Sequence, residues 1–180
     1  MLTTFFNITA DEKPLTCTAK KLDFGEFENG QYISDLSDAW GVKITAEGTN
    51  GGGYTPKKQV RIFDSSRPHG SGKKDEHKNP LCKSNQGDKD LGSPNEKCEG
   101  GGPGVGGAGK PGKTNTNCQP LGNLIIIQHS EDDCPNDYSG GGTIAFDWDK
   151  PVNLKNMEFL DVDGSNYPTL KLFFEDGSTE

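Results

Sequence analysis

Apolar and polar residues alternate with a period of two along most of this chain. In GVKITAEG (41–48), Val42 and Ile44 fall on one face and Lys43 and Thr45 on the other. QVRIFDSS (59–66) sets Val60 and Ile62 against Arg61 and Phe63, and GTIAFDWD (142–149) sets Ile144, Phe146 and Trp148 against Ala145 and Asp147. KLDFGEF, ending at Phe27, alternates as well. Period two marks strands with one covered face. NLIIIQHS (123–130) is apolar without alternation, which suits a central strand covered on both faces. VNLKNMEFLDVDG (152–164) reads as a strand with a polar interruption and TLKLFFEDG (169–177) as another. The one helical candidate is ISDLSDAWG (33–41), a short turn capped near Ser34 or Asp35 and stopped by Gly41. Roughly seven strands, separated by Gly, Asn, Asp and Pro turns and with no β-α-β alternation, predict an all-β fold: a jelly-roll-like antiparallel β-sandwich.

The alternation stops between residues 67 and 120. This stretch is rich in Lys, Gly, Asn and Pro and reads as a long Gly/Lys-rich loop insertion. The organisation expected is therefore an N-terminal arm over 1–19 and a β-sandwich domain over 20–180, with the insertion at 67–120. The heart of the insertion, GGGPGVGGAGKPG (100–112), has 8 glycines in 13 residues and cannot form a packed element on its own. GAGKPGKT (107–114) within it fits the phosphate-binding pattern G-x-x-x-x-G-K-[ST] at every fixed position. A phosphate loop needs an apolar strand before it and a helix after it, so that converging N–H groups and the helix N-terminus hold the anion. Here CEGGGPGV precedes and NTNCQPLG follows, and Pro111 removes an N–H from the cradle. The overlapping GVGGAG (104–109) lacks the same context, and a solvated loop is the better reading of both.

Composition agrees with a small core. Only 29% of the 180 residues are hydrophobic, and 25 Gly and 11 Pro are present, an apolar share well below the usual one. The net charge of −8 is unevenly spread: residues 57–118 hold 12 Lys and Arg against 7 Asp and Glu, and the remainder 7 against 20. An acidic body with a basic middle disfavours a polyphosphate backbone, so nucleic acid is not an expected partner. No apolar run approaches the roughly 18 residues of a membrane span. The opening LTTFFNITA is too short, and lacks the basic region, for an intact signal peptide.

Five cysteines stand at Cys17, Cys82, Cys98, Cys118 and Cys134, without a C-x-x-C pair that would suggest zinc. Those in exposed loops imply two disulfides among Cys82, Cys98, Cys118 and Cys134, and an oxidising compartment. Four cysteines allow three pairings; Cys82–Cys98 with Cys118–Cys134 is the one expected, with Cys17 left over. Asn7-Ile8-Thr9 is a glycosylation sequon.

Carboxylates gather at strand ends: Asp64 after QVRIF, Asp88 and Asp90 in GDKDLG, Glu131 to Asp133 and Asp137 after the apolar strand, and Asp161 and Asp163 in LDVDG. Calcium takes six to eight oxygens, several of them from carboxylates, and a D-x-D pair puts two near one strand end. Asp64, Asp88, Asp90, Asp161 and Asp163 are the candidate calcium ligands, against the plainer reading of Asp as a solvated turn former. No nucleophile elbow or Ser-His-Asp order is present, and nothing favours an enzyme. Trp148 shares a face with Ile144 and Phe146 and is expected in the core, whereas Tyr54 and Tyr138 in Gly-rich loops are the candidates for contact with a ligand such as a sugar ring.

The ordered motifs LDFGEFENGQYISDL…WGVKITA, RIFDSSRP, DKDLGSP and GNLIIIQHSEDD…DYSGGGTIAFDWDKPVNLKNMEFLDVDG resemble a secreted β-sandwich domain of bacterial surface proteins, including those with PEP-CTERM-type sorting tails, and of algal proteins. The similarity covers about residues 20–177. It implies a jelly-roll-like, extracellular, non-catalytic module, and it puts Asp64, Asp90 and Asp161 at matching positions. The Cys-bearing insertion between DLGSP and GNLIII departs from the family pattern, and members continue with another strand or two after the FFEDG hairpin. The expectation is thus a structural or adhesive module of the cell surface, stabilised by calcium and assembling with its own copies or its neighbours. The alternative is a carbohydrate-binding module.

Overall fold

The computed structural model describes residues 3–7, 20–68, 88–105, 117–131, 134–160 and 168–180. The described chain is all-β and antiparallel, with eight strands in three small sheets. β1 (Thr3–Asn7) lies between β2 (Lys20–Leu22) and β8 (Asn153–Glu158), so residues of the N-terminal arm form a strand in the middle of a sheet. The second sheet runs β3 (Tyr32–Ile33), β5 (Val60–Asp64), β6 (Asn123–Ile126). The third pairs β4 (Val42–Gly48) with β7 (Gly142–Trp148) in register over all seven residues of each.

The alternation in the sequence becomes burial in β4 and β7. Val42, Ile44 and Ala46 are buried between exposed Lys43, Thr45 and Glu47. Opposite them, Ile144, Phe146 and Trp148 are half-buried against the core and Thr143, Ala145 and Asp147 are exposed. β5 and β6 are covered on both faces. Val60, Ile62, Ile125 and Ile127 enter the main cluster with Leu22, Phe24, Ile33, Leu36, Val42 and Ile44. Phe63, Leu124 and Ile126 enter a second cluster on the other side, together with Leu91. That second cluster accounts for the unbroken apolar run of NLIIIQHS and for the burial of all five β5 residues. β6 is doubly covered as expected, yet it ends the order β3-β5-β6 rather than occupying its centre.

Arg61 belongs to the face that alternation assigns away from Val60 and Ile62, but that face is not solvent. Its guanidinium donates from Nε to Gly30 O at 3.0 Å and from Nη1 to Cys134 O at 3.3 Å, and lies 5.0 Å from the Tyr32 ring centroid. Carbonyl acceptors and an aromatic face let the cation stay out of water.

α1 (Ser37–Trp40) is the expected short helix, and Gly41 ends it at φ 66° with its N–H on Ser37 O. Capping is shifted: Asp35 Oδ1 accepts from Ser37 N at 3.0 Å, and Leu36, at the N-cap position, has no polar side-chain atom to contribute. KLDFGEF yields a strand only to Leu22, because Phe24 takes φ 55° and the chain turns there to accept Phe27 N. The run at 169–177 is a hairpin with a single bridge, Phe173 to Thr179, and not an extended strand.

The described parts of the insertion are packed. Leu91 is fully buried. Ser65 Oγ meets Ser93 Oγ at 2.6 Å and donates to Gly122 O at 2.6 Å, while Ser93 Oγ accepts from Leu121 N at 2.8 Å. Gly92 and Gly104 come so close that a β carbon on Gly104 would stand 2.3 Å from Gly92 O, nearer than any real contact. Cys98 is bonded to Cys118. The expected pairs Cys82–Cys98 and Cys118–Cys134 are therefore incorrect: Asn95 N bonds Asn117 O and Asn117 Nδ2 bonds Gly92 O, which draws residues 92–98 and 117–118 side by side. Cys134 is disulfide-bonded as well, to a cysteine other than these two. Cys17 and Cys82 lie outside the described residues, as do the phosphate-loop look-alike at 107–114, Asp132, Asp133, Asp161 and Asp163.

Candidate functional site

Two loops meet beside the second core cluster. The first carries Asp88 and Asp90. Buried Leu91 anchors it, and Lys89 O fixes its turn by accepting Val105 N at 2.8 Å and Gly92 N at 3.2 Å. The second leaves β6 and returns through residues 128–138. Gln128, 1% exposed, organises it: its Nε2 donates to Cys134 O at 2.9 Å and its Oε1 accepts from Asn136 N at 3.1 Å. Backbone bonds from His129 N to Asn136 O and from Tyr138 N to Ile127 O, each 2.8 Å, close it. The buried Gln128 amide thus ties Cys134 and Asn136 to the end of β6.

The result is a meeting of carboxyls. Asp137 N donates to Asp88 Oδ2 at 3.2 Å, and the Asp88 carboxyl is in hydrogen-bonding contact with those of Asp137 and Asp90. Burial pushes the Asp88 carboxyl up to about 10, aided by those hydrogen bonds and by the charges of Asp137 and Asp90. At neutral pH Asp88 therefore keeps its proton, because a second and third negative charge in one half-buried place is costlier than neutrality. The donor set is oxygen only, the kind that hard divalent cations take. The carboxyls face one another, and no three Asp, Glu, His or Cys side chains among the described residues are disposed around a position that a metal ion would fill.

Of the acids singled out from the sequence, the fold brings Asp88 and Asp90 together and adds Asp137. It does not bring Asp64. The oxygens of Asp64 are taken locally: Oδ1 accepts Ser66 N at 2.9 Å and Ser66 Oγ at 2.6 Å, and Oδ2 pairs with Arg67 Nε at 2.6 Å. Burial raises the Asp64 carboxyl, but the Ser66 and Arg67 hydrogen bonds outweigh it and hold it below its usual range.

Tyr54 and Tyr138 are both half-buried. Tyr54 meets Tyr32 edge-on at 6.1 Å between centroids, and its hydroxyl donates to Glu131 Oε1 at 3.4 Å. The Tyr138 side chain packs on the main core and over Gly52 and Gly140, where added β carbons would fall 1.9 Å from its hydroxyl and 2.4 Å from its ring. Packing thus occupies much of Tyr138, whereas Tyr54 keeps a polar edge at the surface. Asn7, the sequon asparagine, ends β1.

In comparisons with protein-family models, curated proteins and solved structures, the chain matches none.

Proposed function

We propose that this chain is a non-catalytic extracellular module, structural or adhesive, that calcium stabilises at Asp88, Asp90 and Asp137 and that assembles with its own copies or with neighbours. The observation that carries the reading is the meeting of these carboxyls, held together by loops built on Leu91 and Gln128. Asp88, Asp90 and Asp137 would supply carboxylate oxygens to the ion, which would compete with the Asp88 proton and neutralise charges that otherwise repel; as they stand, these carboxyls do not surround a metal position. The disulfides support an oxidising, extracellular setting. The resemblance of the strand motifs to secreted surface domains points to the same place.

The test is the melting temperature in millimolar calcium and in excess EDTA. An ion that binds only the folded state raises stability by mass action, by about 2.7 kcal/mol at a hundred times its dissociation constant. An upward shift of several degrees that disappears in Asp88→Asn is expected. Equal melting temperatures in both buffers would remove calcium from the proposal. Glycan binding is the second reading, supported by Tyr54 and its Glu131 partner beside Tyr32; a glycan array at background level would remove it.

A further inference from the structure

The chain holds two Asn-Gly pairs, Asn29–Gly30 and Asn50–Gly51. In such a pair the glycine nitrogen can attack the asparagine side-chain carbonyl, because glycine has no β carbon to screen it. The fold treats the two pairs in opposite ways. Asn29 Oδ1 accepts Asp64 N at 3.0 Å, which fixes that side chain on the end of β5. Gly30 N donates to Ile62 O at 2.8 Å, and a β carbon on Gly30 would stand 3.3 Å from Arg61 Nη2. Both the attacking nitrogen and the attacked carbonyl are thus occupied. Asn50–Gly51 lies instead in the turn after β4. Thr49 O accepts Gly52 N at 3.0 Å, and φ is 55° at Asn50 and 72° at Gly51, the tight turn that Asn-Gly favours. Both residues are exposed. Among the described residues no hydrogen bond holds the Asn50 side chain, and a β carbon on Gly51 would meet nothing within 4 Å.

We propose that Asn50 is a site of spontaneous deamidation to isoaspartate, and that the fold shields Asn29 from the same reaction. The Gly51 nitrogen bonds to Asn50 Cγ, the Cγ–Nδ2 bond breaks, and the proton from the Gly51 nitrogen leaves with the nitrogen of the side chain as ammonia. One water then opens the five-membered imide. Attack at Cγ returns an ordinary aspartate; attack at the main-chain carbonyl carbon gives isoaspartate, whose main chain runs through Cβ and Cγ. Water is the one co-reactant, nothing is oxidised or reduced, and either product adds a negative charge. Isoaspartate also lengthens the main chain by one carbon where the packing is close. A β carbon on Gly48 would stand 1.8 Å from Gly52 O, and one on Gly52 would stand 1.9 Å from the Tyr138 hydroxyl. Beyond the turn, Tyr54 N donates to Gln128 O at 2.7 Å. A longer turn therefore displaces Gly52 against Tyr138, so that a reaction at an exposed residue reaches the packing beside the core.

The experiment ages the intact protein at neutral pH, folded and in urea, and follows both pairs by peptide mass spectrometry that separates amide, aspartate and isoaspartate. In the folded protein Asn50 should convert at least tenfold faster than Asn29. In urea, where both pairs are released, the two rates should converge, which assigns the difference to the fold. Equal rates in the folded protein overturn the proposal. So does an Asn50 that stays an amide when folded while it reacts in urea, because the turn then protects it. Asn50→Asp adds the charge without the extra carbon and isolates the second part of the proposal. Aged protein should melt at a lower temperature than this variant. Aged protein that melts together with Asn50→Asp would confine the effect to charge and overturn the displacement at Tyr138.

Discussion

At Asp64, a carboxylate drawn out of water is stabilised because Ser66 and Arg67 fill its oxygens. Replacing it with Asn removes the charge from a buried, hydrogen-bonded place and takes the Asp64 carboxylate from the Arg67 guanidinium. The expected loss is about 1–3 kcal/mol at neutral pH, read by urea unfolding. The Asp88 environment gives the opposite sign. There, Asn keeps the shape and removes a group whose ionisation the surroundings resist. Asp88→Asn should leave the calcium-free protein at least as stable as the wild type at neutral pH, and make it indifferent to calcium. A lower melting temperature for this variant in EDTA would mean that the carboxyl hydrogen bonds outweigh the like-charge repulsion.

The insertion shows what single elements owe to interactions that leave no periodic trace. Its described part stands on one fully buried leucine, a backbone contact between Gly92 and Gly104, and the Cys98–Cys118 bond. Leu91→Ala should cost about 2–5 kcal/mol, as for other truncations in a closed core. Replacing Cys98 and Cys118 with Ser releases a loop with a sequence separation of 20 and should cost about 3 kcal/mol. Both are read by calorimetry, and losses under about 0.5 kcal/mol would mean that the insertion is decoupled from the body. β4 and β7 were legible because burial on one face writes alternation directly into the sequence. The apolar run of β6 likewise announced two covered faces, although not its place in the sheet. The insertion was not legible, since one leucine among glycines sets no period. Nor was the carboxyl cluster: Asp137 and Asp88 are 49 residues apart, and only the loop folded on Gln128 joins them. Asp64 and Asp88 look alike in sequence, each an Asp beside a turn, and only their partners separate them.

Across the whole molecule these two carboxyls pull stability in opposite directions with pH. Asp64 has a folded value below its unfolded one, near 3.9. Its contribution is present above about pH 4 and is lost as pH falls through the folded value. Asp88 has a folded value of about 10. Its contribution is complete below about pH 4 and is lost progressively as pH climbs from there toward 10, because the unfolded chain ionises while the folded one holds its proton. The calcium-free protein should therefore be most stable in mildly acidic solution and weaken toward alkaline pH. Calcium reverses the alkaline limb: the ion competes with the Asp88 proton, so its affinity rises with pH and binding releases protons. Melting curves from about pH 3 to about pH 9, in EDTA and in calcium, should coincide at the acid end and diverge upward, with the maximum moving toward neutral pH when calcium is present. Asp88→Asn should flatten the alkaline decline and close the gap between the two curves. Superimposable wild-type curves would mean that Asp88, Asp90 and Asp137 share protons alone, and that the cluster is a pH-sensitive joint between two loops rather than a cation site.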